Sequence, residues 1–378
     1  MKIVIAIDSF KGSLTSIEAG KAAADGIFRV YPQAEISVYP LADGGEGTTE
    51  AFVSGLGGVF KTVDVSDPLG RIISARYGIL PDSTAVIEMA SAAGLTLLTK
   101  DERNPMNTTT YGVGQLIADA VSQGCRNFII GIGGSATNDG GIGCLQALGF
   151  GMLDSDRKQV DFGAKGVSQL KKITADNVIP ELSECSFHIA CDVNNPLCGE
   201  NGCSAVFAPQ KGADEAMITE MDGYLSKYAK LTKRYNTNAN PEAHGAGAAG
   251  GLGFAFMSYL NAVLDPGIDL ILRKTRLEEA IIDADIVVTG EGCLDAQTAM
   301  GKAPVGVAKL AKKYGKPVIA FSGIVRDGAS LCNENGIDAY FPILRSICTS
   351  EEAMNSDIAR KNLADTAHQV FRLINIFS

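Results

Sequence analysis

At both ends of the chain, short apolar runs alternate with helical segments, and this pattern constrains the fold more than any other feature. Residues 3–7 and 36–39 are apolar, and the capping-box sequence Thr15-Ser16-Ile17-Glu18 begins a helix between them. Residues 286–289 and 317–321 repeat the pattern near the carboxyl end. Strands separated by helices predict parallel pairing with right-handed crossovers, so we expect an α/β protein.

The middle of the chain follows a different pattern. Predicted strands within residues 59–89 are joined by short turns, as in hairpins, and a buried strand is predicted at 128–132. Two similar ends around a different centre predict one discontinuous domain, made of residues 1–70 and 280–378. Residues 71–279 would then form a second, inserted α/β domain.

Charge and cysteine content exclude several classes of protein. The chain has 43 acidic residues against 33 lysines and arginines, a net charge of −10, so we expect neither a nucleic-acid nor a membrane partner. Nine cysteines at irregular spacings predict free thiols in a reducing cytoplasm, and three distant histidines argue against structural zinc. Residues 245–264 carry no charge, but their five glycines favour a turn and a buried helix over a membrane span.

Polar residues follow the first predicted strand at the sequence DSFKGS, residues 8–13. In open α/β sheets, ligands bind outside the carboxyl ends of the strands. A carboxylate, two hydroxyl groups and the Lys11 ammonium at a helix start suit an anion. An ordinary polar loop with a surface lysine is the alternative.

Two further polar turns are candidates for ligand contacts. Glycines in residues 43–47 would let the backbone approach a ligand, and the two carboxylates there could hold a cation; a tight turn with solvated acids is the alternative. Residues 192–196 place an acid before two amides, which suits hydroxyl or metal binding, although an Asx turn before proline would have the same sequence.

The most specific single motif is the glycine loop, residues 131–141 (GIGGSATNDGG). Its start fits G-x-G-x-x-A, the dinucleotide fingerprint, and acids at 154 and 156 stand roughly where a ribose-binding acid would, so an NAD-dependent hydroxy-acid dehydrogenase is one hypothesis. The loop is longer and more polar than that fingerprint needs, which favours phosphate and metal contacts; a purely structural role is the alternative. A second glycine pattern at 245–250 follows no predicted strand.

The remaining motifs and residue types argue against a hydrolase and favour phosphoryl transfer. Residues 289–302 resemble a P-loop only superficially, because Ala296 replaces the first motif glycine and Ala303 follows Lys302. No G-x-S-x-G exists, and the histidines are interpreted as structural. Carboxylates, lysines and a metal ion are the usual inventory of phosphoryl transfer.

Together, these segments resemble the class I glycerate kinase family over nearly the whole chain. The resemblance rests on DSFKGS (8–13), ADGGEGT (42–48), RNPMNTTTYGVG (103–114), GIGGSATNDGG (131–141), DVNNP (192–196), PQKG (209–212), GAGAAGG (245–251) and residues 290–302. Departures are Ile7 and His244, where proline is usual, and Cys293, where arginine is common. The Cys293 change removes a potential anion contact.

The resemblance implies ATP- and Mg²⁺-dependent phosphorylation of D-glycerate, with 2-phospho-D-glycerate as the product of the bacterial members. It also implies two α/β domains with the active site between them: a flavodoxin- or Rossmann-like parallel-sheet domain made of both chain ends, and an inserted domain with a mixed sheet. We expect a cytoplasmic monomer or homodimer. The rival hypotheses are the dehydrogenase and a non-enzymatic small-molecule sensor, although no output module is visible.

Residue type and position give the following hypothesis for the site. The base is Asp192, which follows an apolar strand where desolvation could raise its pKa, with Asp8 next; Lys11 or Lys302 holds the substrate carboxylate. We expect catalytic roles for Asp192, Asp8 and Lys11, substrate contacts from Ser9, Ser13, Gly44, Gly45, Asn194, Asn195, Glu291 and Lys302, ATP contacts from Gly133, Gly134, Ser135, Thr137, Asn138, Gly245 and Gly247, and metal contacts from Asp43, Asp139 and Asp295.

Overall fold

The structure, a computed structural model, describes residues 1–42, 44–45 and 47–377. The strands within them are β1 (Lys2–Ile7), β2 (Glu35–Pro40), β3 (Val59–Ser66), β4 (Ile72–Ile79), β5 (Thr84–Glu88), β6 (Asn127–Gly131), β7 (Gly151–Leu153), β8 (Lys172–Thr174), β9 (Ser186–Ala190), β10 (Val263–Asp265), β11 (Ile286–Leu294), β12 (Val318–Val325) and β13 (Ala339–Pro342).

The helices are α1 (Ser16–Phe28), α2 (Thr48–Leu56), α3 (Ala90–Ala93), α4 (Tyr111–Ser122), α5 (Ile142–Ala147), α6 (Gly163–Gln169), α7 (Cys203–Phe207), α8 (Glu215–Tyr235), α9 (Ala248–Tyr259), α10 (Gly267–Thr275), α11 (Leu277–Asp283), α12 (Ala296–Ala299), α13 (Ala303–Lys313), α14 (Leu331–Glu334), α15 (Ser350–Met354) and α16 (Ser356–Phe377). Short 3₁₀ helices lie at Leu95–Leu97, Lys100–Glu102, Pro180–Glu184 and Pro209–Lys211.

Contacts divide the chain into two compact units. Unit 1 comprises residues 1–43, 50–57 and 268–378, and unit 2 comprises residues 44–49 and 58–267. Both boundaries therefore precede the expected positions near 70 and 280. The first does so because β3 pairs along its whole length with β4, which ties β3 to the sheet of unit 2.

Unit 1 contains a five-stranded parallel sheet in the order β2-β1-β11-β12-β13. Numbered along the chain, this order is 2-1-3-4-5, the flavodoxin-like arrangement, so the predicted fold is confirmed. All of β1 except its first residue is buried, as expected of a parallel strand covered on both faces. The predicted capping box is also present: the Thr15 side chain accepts from the backbone of Glu18, whose side chain accepts from the backbone of Thr15.

Unit 2 contains the predicted mixed sheet, with six strands in the order β10-β9-β6-β5-β4-β3. Strands β5, β6, β9 and β10 are parallel, and β3, β4 and β5 pair antiparallel. Phe128 of β6 stacks on Phe187 of β9, with 4.7 Å between ring centroids. The carboxyl ends of these parallel strands carry the polar loops that the sequence singled out.

Local sequence explains two differences from the expected elements. The sequence pattern of residues 351–376 predicts a single helix, which the structure divides into α15 and α16. Asn355 leaves the helical conformation, and its side-chain oxygen accepts the N–H groups of Asp357 and Ile358 at the start of α16. The buried helix predicted within residues 245–264 is present as α9, but Ala249, Gly250 and Gly251 have left-handed φ values, so its first turn is kinked. None of the helices in the described part of the chain is long and apolar enough to span a membrane.

Candidate functional site

A pocket of about 370 Å³ lies in unit 1 at the carboxyl ends of β1 and β11. These two strands are neighbours at the topological switch point of a 2-1-3-4-5 sheet, the place where such sheets bind ligands. We call it the switch-point pocket. Seven residues predicted from the sequence line it together: Asp8, Ser9, Lys11, Ser13, Glu291, Asp295 and Lys302.

The first wall of this pocket is the turn between β1 and α1. Phe10 and Leu14 form an isolated bridge, and the Ser13 N–H donates to the Phe10 carbonyl at 2.7 Å, so the chain folds back before the helix begins. The hydroxyl oxygens of Ser9 and Ser13 are buried and have no hydrogen-bond partner among the described residues. Buried hydroxyl groups are normally bonded, so both are fitted to meet a polar ligand.

The carboxylate of Asp8 lies beside these serines. Asp8 is only 4% exposed, and its Oδ1 accepts the Ser9 N–H at 2.6 Å. Glu18, in contrast, is engaged in the capping box, where hydrogen bonds from Thr15 and the nearby Arg360 lower its pKa. The Glu18 carboxylate is therefore bonded within the helix cap, and Asp8 is the carboxylate that this turn presents to the pocket.

Three cationic side chains line the pocket: Lys11, Lys302 and Arg326. Lys302 and Arg326 form no ion pair within the described part of the chain. Burial raises the pKa of the Cys293 thiol, which also lines this pocket, and the charges of Arg326 and Lys302 oppose that rise. Arg326 was not among the residues predicted from the sequence, although its position directly after β12 places it at the same sheet edge as those residues.

Glu291 and Asp295 are held in place by one threonine. The Thr298 hydroxyl donates to Glu291 Oε1 at 2.6 Å, and Asp295 Oδ1 accepts the backbone N–H groups of Gln297 and Thr298. Asp295 is thus the N-cap of α12, with Oδ2 left over for another contact. The pocket therefore combines an anion-binding side with two oriented carboxylates.

In unit 2, the glycine loop leaves β6 and reaches α5 only at Ile142. A dinucleotide fingerprint requires a helix that opens within the motif itself. Here five residues separate the end of the G-x-G-x-x-A match from the helix. The acids at 154 and 156 also lie in a turn beside the small β7–β8 hairpin, outside the six-stranded sheet, so the loop does not have dehydrogenase geometry.

Side chains in the second half of the glycine loop point into the protein. Asp139 is fully buried; its Oδ1 accepts the Gly141 N–H, and its Oδ2 accepts from Gly143 and from both N–H and hydroxyl of Thr110. Burial raises the pKa of Asp139, and these donated hydrogen bonds oppose the rise. Asn138 is also fully buried and donates to Ser204 Oγ at 2.9 Å.

The exposed part of the loop is its first half. Gly133 and Gly134 are exposed, Ser135 is half-buried, and Thr137 is buried with an unpartnered hydroxyl oxygen. Lys211 of the PQKG sequence, which was noted only as part of the family resemblance, donates to the loop from beneath. Residues 133–135 are therefore the part of the loop that can meet a ligand.

The structure brings the predicted glycine segment 245–251 to this loop. Gly250, at φ +67°, accepts the Gly140 N–H through its carbonyl at 2.9 Å, and a side chain there would overlap the Thr137 carbonyl oxygen. The Gly247 N–H donates to the Asn195 carbonyl at 2.9 Å, which joins the 192–196 loop to the same group. Three motifs that are distant in sequence thus converge at the carboxyl ends of β6 and β9.

The 192–196 loop is more open than the sequence suggested. Asp192 is exposed, with its Oδ1 accepting the Gly267 N–H at 3.0 Å, so the expected desolvation is absent. Asn194 is exposed, and the Asn195 amide donates to the Asn201 carbonyl. The hydrogen bonds of Asp192 and Asn195 therefore help to hold the loop.

The turn at residues 43–47 is described in part. Gly44 and Gly45 pack against the start of the glycine loop: a side chain at Gly131 would overlap the Gly44 carbonyl oxygen, and one at Gly133 would lie 3.2 Å from the Gly45 Cα. This contact therefore requires glycine at position 131 and leaves little room for a side chain at position 133. Asp43, predicted to bind metal, lies outside the described residues.

Comparison with known proteins gives a consistent result. Residues 3–375 match the model of the glycerate kinase family. The chain is 45% identical over 372 residues to the Escherichia coli K12 protein named glycerate 2-kinase, covering 97% of this chain and 98% of that protein. It is 44% identical over 375 residues to the Haemophilus influenzae protein named glycerate kinase, covering 99% of each.

A solved structure shares the whole fold. A crystal structure described as that of a glycerate kinase 2 from Salmonella typhimurium LT2 has a TM-score of 0.91 and 43% identity, covering 100% of this chain and 98% of that one. The family match spans both units and every motif assembled above. This chain therefore belongs to the glycerate kinase family.

Proposed function

We propose that this protein transfers the γ-phosphoryl group of ATP to D-glycerate and forms 2-phospho-D-glycerate. The observation that carries the proposal is the switch-point pocket, which combines three cationic side chains with two unpartnered serine hydroxyls and the carboxylate of Asp8. A small hydroxy acid offers complementary groups: one carboxylate and two hydroxyls. The name glycerate 2-kinase of the Escherichia coli relative supports the choice of the C2 hydroxyl.

The substrate carboxylate is assigned to the cationic side of the pocket. Lys302 and Arg326 form no ion pair within the described residues, so neither must give up a protein partner to bind an anion. Arginine meets a carboxylate with two parallel N–H donors, whereas lysine acts as a point charge. Arg326 thus supplies the planar anion contact that Cys293 cannot.

The proposed base is a carboxylate, and the pocket ranks Asp8 ahead of Asp192. A general base must lie within hydrogen-bond reach of the proton that it removes. Asp8 lines the pocket that would hold the hydroxyl, and the Ser9 N–H fixes its orientation. Asp192 remains the alternative on the exposed loop of unit 2.

The nucleotide is assigned to unit 2. The exposed backbone of Gly133 and Gly134 and the Ser135 hydroxyl are the groups there that suit phosphate oxygens. Gly245 and Gly247 are buried, so they act by letting the 192–196 loop pack closely against their segment. Their proposed role in ATP binding is therefore to position neighbouring groups.

Mg²⁺ fits the carboxylates that remain. The described residues contain no cluster of three or more His, Cys, Asp or Glu side chains suited to a metal ion. Mg²⁺ needs no such cage, because it commonly binds one or two carboxylates together with substrate phosphates. Asp295, with a spare oxygen, is the proposed ligand, and bound Mg²⁺ would neutralise charge on the phosphates. Asp139 is set aside because four donors occupy its oxygens.

Variants of the pocket test this assignment. Arg326→Gln and Lys302→Met are each expected to raise the KM for D-glycerate by about tenfold or more. A tenfold change corresponds to the lower end of the free energy that a hydrogen bond to a charged group contributes. The KM for ATP should stay within about twofold, and the exposed Lys309→Met is the matched control in unit 1. Unchanged KM values for glycerate in both variants would contradict the pocket as the substrate site.

A second comparison tests the base. Asp8→Asn should lower kcat by about 100-fold or more, in the range of general-base catalysis, whereas Asp192→Asn should retain activity within a few-fold. The reverse pattern would assign the base to Asp192 instead. A large loss in both variants would require a role for each carboxylate.

A further inference from the structure

A lysine is buried directly beneath the glycine loop. Lys211, at the end of the 3₁₀ helix Pro209–Lys211, is 1% exposed. Its ammonium donates to Ser135 Oγ at 2.8 Å and to the Thr137 carbonyl at 2.7 Å. It forms no ion pair with any carboxylate in the described part of the chain.

This ammonium is costly to bury and is still charged near neutral pH. Desolvation lowers the pKa of Lys211 to about 8, while the neighbouring Asp139 and Cys203 favour the charged form. A buried charge without a bonded counter-charge destabilises the folded state. An anion bound at the other side of the loop would offset this cost.

The hydrogen bond from Lys211 fixes whether the Ser135 hydroxyl acts as a donor or an acceptor towards other groups. An ammonium group has only donors, so the Ser135 oxygen must accept from Lys211. The hydroxyl hydrogen of Ser135 then points to a different partner, and the hydroxyl is held as a donor. The Thr137 carbonyl is turned to the same ammonium, away from any ligand on the exposed side of the loop.

We propose that Lys211 is a positioning residue for ATP: it holds the glycine loop from below and orients the Ser135 hydroxyl to donate to a phosphate oxygen. The inference rests on the proposed function, because it takes the glycine loop to be the nucleotide site. Lys211 acts through Ser135 and through its charge, with no direct contact to the nucleotide. This role accounts for the presence of a lysine at a fully buried position.

A double-mutant cycle tests the proposal. Lys211→Met, Ser135→Ala and the double variant are compared with the wild type for kcat, for KM values of ATP and D-glycerate, and for folding by circular dichroism and thermal unfolding. Each single variant should raise the KM for ATP by about tenfold and leave that for D-glycerate within twofold. In the Ser135→Ala background, Lys211→Met should add at most a further twofold to threefold.

The control variant and the possible outcomes distinguish a wrong role for Lys211 from a wrong assignment of the kinase activity. Lys227→Met, an exposed lysine of α8, should leave all constants unchanged. A folded Lys211→Met with the wild-type KM for ATP, or fully multiplicative effects in the cycle, would overturn the role of Lys211 while the wild type remains a kinase. If Lys211→Met does not fold, an unaltered KM for ATP in Ser135→Ala would overturn it equally. A wild type that transfers no phosphoryl group would overturn the proposed function and this inference together.

Discussion

Raising the pH from 7 to 9.5 should stabilise the wild type relative to Lys211→Met by about 2 kcal/mol. Burial lowers the pKa of Lys211 from its ordinary 10.5 to about 8. Between these values the unfolded chain binds more protons than the folded chain, so stability rises with pH. The whole shift corresponds to a change on the order of 3 kcal/mol, and about 2 kcal/mol of it is reached by pH 9.5.

The assay is equilibrium unfolding in urea with a reducing agent present, at closely spaced pH values, for both proteins. The shared thiols, tyrosines and carboxylates titrate in each, so the difference in the free energy of unfolding isolates Lys211. Lys211→Arg, which stays charged throughout this range, is a second reference. The free energy of unfolding of the wild type minus that of Lys211→Arg should rise with pH at the same slope. Lys227→Met should track the wild type at every pH.

The wild type and Lys211→Met would refute the reasoning if the difference between their free energies of unfolding stayed constant with pH within about 0.5 kcal/mol. That result would mean that the Lys211 ammonium titrates near its ordinary pKa and is not desolvated. A difference that falls with pH would have the wrong sign and would indicate an ion pair with a carboxylate. Either result would also remove the basis for a desolvated, unpaired lysine beneath the glycine loop.

Further predictions concern packing, a buried hydrogen bond and metal dependence. Gly26→Ala should destabilise the folded protein by about 1–3 kcal/mol, because the new methyl group would overlap a carbonyl oxygen of α16. Gly223→Ala, with open space around it, should stabilise the folded protein by about 0.5–1 kcal/mol. Urea unfolding measures both changes. Ser16→Ala should cost about 2 kcal/mol or more, since the hydroxyl bridges a carbonyl at the end of β1 and an N–H after β2. Activity should require a divalent cation, and Asp295→Asn should raise the Mg²⁺ concentration for half-maximal activity several-fold while Asp139→Asn leaves it unchanged; the opposite order would restore Asp139 as a ligand.

The sequence predicted the sheet of unit 1 well because its strands are buried on both faces. Such strands are continuous apolar runs, and the capping box marks the start of the helix that follows β1. The break at Asn355 was missed because both halves carry the same helical pattern. The predicted strands of residues 59–89 were placed in hairpins, but the domain boundary near 70 divided the first of them, whereas the pairing of β3 with β4 keeps both strands in unit 2.

The site was predicted in part for a related reason. The rule that ligands bind at strand ends located Asp8, Ser9 and the pocket carboxylates, since it depends only on topology. It does not show which way a loop side chain points, so Asp139 was assigned to a metal although its oxygens cap its own loop. It likewise treated Asp192 as desolvated, whereas the structure exposes it.

Arg326 and Lys211 show what such reasoning leaves out. Arg326 was missed because the predicted strand ended at residue 321, whereas β12 continues to Val325. Lys211 lies 76 residues from the serine to which it donates, and its burial arises only from tertiary packing. Both are cations in an acidic chain, and each lies where the proposed reaction needs positive charge.

The most direct test of the proposed activity is phosphorus NMR of the purified wild type with ATP, Mg²⁺ and D-glycerate. We predict a growing phosphomonoester signal as the γ-phosphate signal falls, split by the single proton on C2. Splitting by two protons would place the phosphate on C3 and contradict the proposed product alone. An unchanged ATP spectrum from folded protein would contradict the proposed kinase activity itself.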